Sequence, residues 1–374
     1  MNLLISTMST KNLFLLRNVF PILQRLLNII FSVMIVIWAM SAHGEKYHFR
    51  YISLADKALP GYLSFSPNSI NNSGQISGTV SNCDDSGCFD FHAAIYKDGV
   101  VTVLQPGLGG PINAGGTIGG SVLVDPVNFT TQSALFRKNK FELISPFKGE
   151  VSSYIFSLND SGTALVFSYD ENSKRNLWLY KNGQTTEIDL GQSLLPVSGF
   201  ISYTEFSRVI NNQGIIAGIT TTDSAFNGAR GFRFDPRTGK GEILEPVSPD
   251  TLAWGMGINQ RGDVLGYSFV SEPPYHERIG VWDKKGNFTT YLDVKTNSSY
   301  LLFNDNNLIV RTLVSGDDNS YLVKPGKQLN LADLVEGIPS GAKLYFIFDI
   351  NNRGDMLGYD TLGGIFLLQR AVGN

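Results

Sequence analysis

An apolar residue, an Asn, two more residues and then usually a Gly make a short phrase that returns seven times along the chain. It reads Ile70-Asn71-Asn72-Ser73-Gly74, Ile112-Asn113-Ala114-Gly115-Gly116, Leu158-Asn159-Asp160-Ser161-Gly162 and Ile210-Asn211-Asn212-Gln213-Gly214. Ile258-Asn259-Gln260-Arg261-Gly262 follows, then the degenerate Phe303-Asn304-Asp305-Asn306-Asn307, then Ile350-Asn351-Asn352-Arg353-Gly354. The steps between the apolar residues are 42, 46, 52, 48, 45 and 47. A period of this size marks a supersecondary unit that buries its faces against copies of itself.

The fifth copy reads strand by strand. Residues 252–259 are an extended run, closed by Gln260-Arg261-Gly262 and followed by a second run at 263–268. A polar loop with two prolines, 272–278, leads to Ile279-Gly280-Val281-Trp282, and Lys284-Lys285-Gly286 turns the chain into residues 287–292. These are four short strands joined by glycine-containing turns, with no helical period in the copy. Asn tolerates left-handed backbone and Gly supplies positive φ, so the repeated phrase is predicted as the hairpin between the first two strands. Third strands recur at 92–96, 133–136, 176–180 and 231–234, and fourth strands at 100–104, 141–144, 185–190 and 241–244. Four antiparallel strands in each step of about 47 residues suit a propeller blade. A solenoid would need parallel strands at a shorter period.

Closure is predicted from the two ends of the repeat array. The last copy supplies three strands, at 344–351, 355–359 and 364–369, while residues 47–54 look like an orphan fourth strand. The expected fold is therefore all-β: a seven-bladed β-propeller of four-stranded antiparallel blades, closed by the N-terminal strand. It occupies 45–374 as a single domain, and closure leaves no open sheet edge.

The repeat resembles that of the extracellular HAF-repeat family, whose core is Ile-Asn-Asn/Asp-x-Gly-x-Ile/Val-x-Gly followed by a His-Ala-Phe type of strand. The match is carried by Ile70-Asn71-Asn72-Ser73-Gly74-Gln75-Ile76-Ser77-Gly78 with His92-Ala93-Ala94, and by residues 210–218 and 350–358. It covers nearly all of 60–370, although the sixth copy lacks both core glycines and most third strands depart from His-Ala-Phe. The resemblance implies export and a propeller-like fold, and no particular activity.

Residues 1–44 change the picture of where this fold resides. Lys11, Arg17 and Arg25 precede an apolar run at 26–40, and Ala39, Ser41, Ala42 and Gly44 supply small residues for cleavage. This is the build of a signal peptide, with an uncleaved anchor as the alternative. A secreted, periplasmic or cell-surface location is expected, with no membrane span beyond this segment. Charged residues make up 17% of the chain and the net charge is −3, so there is no basic field for nucleic acid. The two cysteines, Cys83 and Cys88, flank Asp84-Asp85-Ser86-Gly87 and are read as a disulfide, with a metal site as the alternative.

Candidate chemistry is sparse. No His-x-x-x-His or Gly-x-Ser-x-Gly is present, and no catalytic residue, cofactor or metal site is assigned. Turn carboxylates Asp160, Asp263, Asp305 and Asp355 recur at similar places on separate copies, which favours a turn role over a glycosidase pair. Asp349 to Gly354 has the alternating oxygens of a calcium loop, but Arg353 takes a ligand position. Arg261-Gly262-Asp263 and Arg353-Gly354-Asp355 spell an adhesion triplet on two hairpins, against a reading as plain turn chemistry. Aromatic residues stand four before the anchor at Tyr154, Phe206, Trp254 and Phe346, where they either pack between blades or stack on a sugar or peptide.

The leading expectation is a monomeric binding propeller that takes a protein or glycan ligand through its longer loops. Candidate ligand-binding residues are Tyr203, Trp254, Tyr275, His276 and Glu277. The rivals are a propeller enzyme acting on glycans or peptides, and a purely structural cell-surface protein.

Overall fold

Each repeat folds into one small antiparallel sheet, and seven such sheets follow one another along the chain. The computed structural model describes residues 45–371 apart from 53–63, 85–86, 126–129, 139, 145–148, 173–174, 189–194, 197–207, 222–227, 271, 273–274, 296–298 and 314–318. The segment read as a signal peptide lies outside the described residues. Blades 1 to 6 span 64–106, 108–143, 150–187, 195–244, 252–294 and 299–330, each with four strands paired in sequence order. Blade 7 combines Leu344–Ile350, Met356–Asp360 and Ile365–Arg370 with the N-terminal strand Tyr47–Tyr51. That strand pairs antiparallel to Ile365–Arg370, from Tyr47 opposite Arg370 to Tyr51 opposite Phe366. The orphan strand thus takes the predicted place.

One element was not expected. Val335–Glu336, from the segment between blades 6 and 7, pairs parallel to the outer side of the closing strand through Tyr47 and His48. It follows a 3-10 turn, Leu331–Leu334, whose entry is fixed by the Asn330 side chain accepting from the Ala332 amide. A two-residue cap of this kind covers part of the closing strand's outer edge.

The core lies between blades. Phe65, Ile76 and Tyr96 of blade 1 pack with Phe348, Leu357 and Leu367 of blade 7, while Leu265 and Ile279 of blade 5 meet Leu301 and Ile309 of blade 6. A blade sandwiched on both sides loses the simple alternation of buried and exposed positions, so its second strand reads as an unbroken apolar run, as in Val264-Leu265-Gly266-Tyr267. Gly266 is glycine for a steric reason: a Cβ there would overlap the Trp254 carbonyl and crowd the Trp282 ring.

The repeated Asn does more than turn the chain. Its Oδ1 accepts the amide four residues on in every copy and, in five of the seven, the amide two residues on as well, as Asn211 does from Ile215 at 3.0 Å and Gln213 at 3.0 Å. Its Nδ2 then reaches the next blade. Asn71 donates to the Asn113 carbonyl at 3.0 Å, Asn113 to Asn159 at 3.4 Å, Asn159 to Asn211 at 2.7 Å and Asn211 to Asn259 at 3.2 Å. Asn304 donates to Asn351 at 3.0 Å, and Asn351 closes the circle on Asn71 at 3.0 Å. Only Asn259 deviates, donating to the Asn307 side chain at 3.3 Å and to Asp263 at 3.0 Å.

A second circle uses the residue after each Asn. The amide of Ala114 donates to Asp160, that of Asp160 to Asn212, that of Asn212 to Gln260, and that of Gln260 to Asp305. Asp305 donates to Asn352 and Asn352 to Asn72. The circle is interrupted between Asn72 and Ala114, because alanine has no side-chain acceptor.

Two outcomes follow from this geometry. Ala114→Asp supplies the missing acceptor and should stabilise the protein by about 0.5–1.5 kcal/mol, whereas Asn211→Ala strands buried amides and a carbonyl and should cost about 2–4 kcal/mol. Urea denaturation of both variants against the parent measures these differences, and equal behaviour of the two would contradict the double circle. Deleting Tyr47–Tyr51 should expose the Ile365–Arg370 edge and abolish cooperative melting or cause aggregation, read by calorimetry and light scattering. Unchanged melting would contradict closure by this strand.

Candidate functional site

The two faces of the ring differ in kind. First-to-second-strand turns lie on one face. Second-to-third-strand loops lie on the other, with bounds as different as Asp84 to Gly87 and Thr221 to Arg230.

On the turn face the channel narrows to a cavity of about 60 Å3, lined by Asn71, Asn72, Asp160, Asn212, Gln260 and Asp305 among others. These side chains are engaged in the circles just described. Arg208 of the blade 4 region crosses the channel, with Nε 3.5 Å from Asp349 of blade 7 and a terminal nitrogen donating to the Ile70 carbonyl of blade 1 at 3.4 Å. Asp349 is fully buried and also accepts from the Ser69 hydroxyl at 2.8 Å, the Ile70 amide at 2.7 Å and the Ile350 amide at 2.8 Å. Its oxygens therefore hold blades together, which leaves the calcium-loop reading of 349–354 without a ligand set.

The two adhesion triplets are engaged within their own turns. Arg261 pairs with Asp263 at 2.9 Å, and Arg353 donates to Asp355 at 2.5 Å, with Asp355 itself buried. In each triplet the Arg and Asp engage one another within the turn. A receptor would have to break the pair.

Open space lies on the loop face. A cleft of about 640 Å3 opens between blades 6 and 7, lined by Tyr300, Leu313, Tyr345, Phe346, Tyr359, Asp360, Thr361 and Gly363. A second, of about 420 Å3, opens between blades 2 and 3, with Tyr154, Phe156, Tyr169, Ser121, Thr131 and Ser152 on its walls. Both volumes fall in the range of small-molecule sites, roughly 300–1,000 Å3. Phe346 and Tyr154 occupy the same place in the repeat, four residues before the anchor. That position was legible; Tyr300, Tyr345 and Tyr359 were not, because they reach the cleft from different strands at no common spacing.

The residues named from sequence as ligand-binding do not form one site. Trp254 is partly buried, packed against the core between blades 5 and 6 and edge-on to Phe269 at 5.1 Å. Tyr275 is 45% exposed. Tyr203 and Phe206 lie outside the described residues. His276 and Glu277 lie in a strand and not in the expected loop: His276–Trp282 is the third strand of blade 5. His276 turns towards Asp293, with Nδ1 3.3 Å from its carboxylate. Glu277 alternates to the other side and is only 8% exposed.

Burial pushes the Glu277 carboxyl up to about 7, against the opposing pull of the Arg311 charge and a hydrogen bond with Ser299. Arg311, on the second strand of blade 6, is itself 2% exposed and donates to Gln328 at 3.1 Å. A raised carboxyl is what acid catalysis requires, but Glu277 lines none of these three cavities.

Cys83 and Cys88 form the expected disulfide, a cross-strand pair near the end of the hairpin formed by Ile76–Asp84 and Gly87–Lys97. The metal alternative for this pair is thereby removed. Among the described residues no group of three or more His, Cys, Asp or Glu side chains is placed to hold a metal ion, and no helix is long and apolar enough to cross a membrane.

Known proteins bear on the fold alone. No protein-family model matches the chain, and no curated protein is similar to it in sequence. Among solved structures, it is similar to the β-propeller domain of the Trilobed protease from Pyrococcus furiosus, described as having an open velcro topology. That match has a TM-score of 0.55 at 11% identity over 83% of this chain and 95% of that one. It is also similar to the acylaminoacyl peptidase of Pyrococcus horikoshii, with a TM-score of 0.52 at 15% identity over 83% of this chain. The match spans 52% of the peptidase. These likenesses define the class: a β-propeller, here with its last blade completed by the N-terminal strand.

Glu277 generates a pH prediction. Its folded value of about 7 lies above the ordinary 4.5 of a glutamate, so the folded state holds a proton that the unfolded state has released. Stability should be undiminished below about 4.5, fall as the pH rises towards 7, and level off above it, by on the order of 3 kcal/mol. Glu277→Gln should remove that slope. Urea midpoints of parent and variant from pH 5 to pH 8 test it, and parallel pH profiles would contradict the assignment.

Proposed function

We propose that the chain is an exported, monomeric binding propeller of the HAF-repeat type, which engages a protein or glycan ligand through the face bearing its second-to-third-strand loops. The observation that carries this reading is the distribution of open space. Clefts of about 640 and 420 Å3 lie between blades on the loop face, while the turn face holds about 60 Å3 crossed by Arg208. Large aromatic side chains with a few hydroxyls, set on a rigid scaffold, are the usual make-up of a binding site. Export is supported by the basic, apolar and small-residue order of 1–44 and is compatible with the Cys83–Cys88 disulfide.

An enzymatic reading has less behind it. Glycoside hydrolysis of the usual kind needs two carboxyl groups across one cleft. Among the described residues, Asp360 is the single carboxylate lining the larger cleft, and none lines the smaller.

The test is to screen the purified propeller on glycan and protein arrays and then map the hit. Tyr345→Ala, at the larger cleft, and Leu108→Asp, on the wall of the smaller, alter the loop face, and Gln213→Ala alters the turn face. At least one loop-face change should weaken binding tenfold or more, with Gln213→Ala within twofold of the parent. Binding lost only in Gln213→Ala would overturn the reading. Conversion of the hit to product, followed by mass spectrometry, would replace it with the enzymatic one.

A further inference from the structure

The cleft between blades 6 and 7 has a lining that selects among ligand classes, and its use rests on the binding-face reading above. Four of its side chains are aromatic. Tyr300 and Phe346 cross edge to face with centroids 4.9 Å apart, Tyr359 stands against Phe348 at 4.8 Å, and Tyr345 is 42% exposed. Among the described residues no Lys, Arg or His lines the space.

The one charged group among the described lining residues is Asp360, the last residue of the second strand of blade 7. One of its oxygens accepts from the Leu362 amide at 2.9 Å and the Gly364 amide at 2.6 Å. The other accepts from the Tyr51 hydroxyl of the closing strand at 2.5 Å. A carboxylate offers about four acceptor sites, so three donors fix its position and leave one unfilled, on a residue that is only 2% exposed at the cleft wall. Tyr51 keeps its proton in this arrangement, the hydrogen bond to Asp360 and burial holding its hydroxyl up at about 12. Thr361, Tyr345 and Tyr359 add hydroxyls to the same lining.

Each ligand class meets this lining differently. An anionic group, whether phosphate, sulfate or sugar acid, would meet Asp360 with no cation among the described lining residues to offset it. An extended peptide needs partners for its own amides and carbonyls, and most lining residues already spend theirs in strand ladders. A neutral sugar ring presents an apolar C–H face to an aromatic ring and hydroxyls to an acceptor, so both parts of the lining are used. We propose that this cleft binds a neutral pyranose residue of a glycan, packed against Tyr345 with a hydroxyl donated to Asp360. The N-terminal strand then has a second role, since Tyr51 orients the acceptor.

The experiment titrates the whole propeller with neutral hexasaccharides of glucose, mannose, galactose and N-acetylglucosamine by calorimetry, with sialyllactose and oligogalacturonate as charged comparisons. At least one neutral hexasaccharide should bind saturably, with affinity changed less than twofold between 50 and 500 mM NaCl. Tyr345→Ala should weaken it tenfold or more at an unchanged melting temperature, and Tyr51→Phe should weaken it several-fold by releasing Asp360. Leu108→Asp, at the other cleft, should leave it unaltered. Saturable binding of the charged sugars only, or of none, overturns the proposal. Binding lost in Leu108→Asp but kept in Tyr345→Ala also overturns it while leaving the loop-face reading intact. Binding lost only in Gln213→Ala overturns both.

Discussion

The amide of one asparagine per repeat is the interaction on which the ring depends. Each such side chain accepts the amides of its own hairpin and donates to the neighbouring blade, so the local turn and the long-range packing are one construction. A buried Asn with both ends satisfied is favourable; with either end unmet it becomes a desolvated polar group. The circle ties its last member to its first through Asn351 and Asn71, so closure is enforced by hydrogen bonds at the hub as well as by the strand Tyr47–Tyr51 at the rim. A propeller held at both radii has little freedom to splay.

Much of this was legible, because repetition turns weak local signals into a strong one. The seven phrases, the hairpin role of Asn and Gly and the orphan strand could all be read along one dimension. The destination of the Asn amide could not, since a bond to a residue in the next copy leaves no mark at short range. A clue was nonetheless present: Asn72, Asp160, Asn212, Gln260, Asp305 and Asn352 all carry an acceptor at the place after the Asn, and only Ala114 does not. The parallel cap Val335–Glu336 had no comparable signal, being two residues in a segment that belongs to no repeat.

Glu277 was misread for an instructive reason. The alternation His276, Glu277, Arg278, Ile279 places Glu277 and Ile279 on one face, a period of two that belongs to a strand. A carboxylate at an inward position next to two prolines argues the other way, because charged residues are seldom buried. The buried Arg311 across the blade interface and the upward shift of the carboxyl resolve the conflict. Neither is visible without the packing of blade 5 on blade 6.

The degenerate sixth copy shows how narrow the tolerance of the hub is. Asn307 stands where the other copies have glycine, with φ +59°, close to the left-handed values of its counterparts such as Gly262 at +87°. Asparagine is among the few side-chain-bearing residues that adopt this conformation readily. Here its Oδ1 also accepts from Asn259 and from Arg261. The diverted bond of Asn259 is therefore compensated, and the hub stays joined through a side chain where elsewhere it is joined through backbone. Substitution on this face thus has to satisfy a dihedral and a hydrogen bond together. The second-to-third-strand loops carry no such double condition, and sequence can vary there without loosening the ring. Recognition is expected where that freedom lies, around clefts whose walls the hub holds fixed.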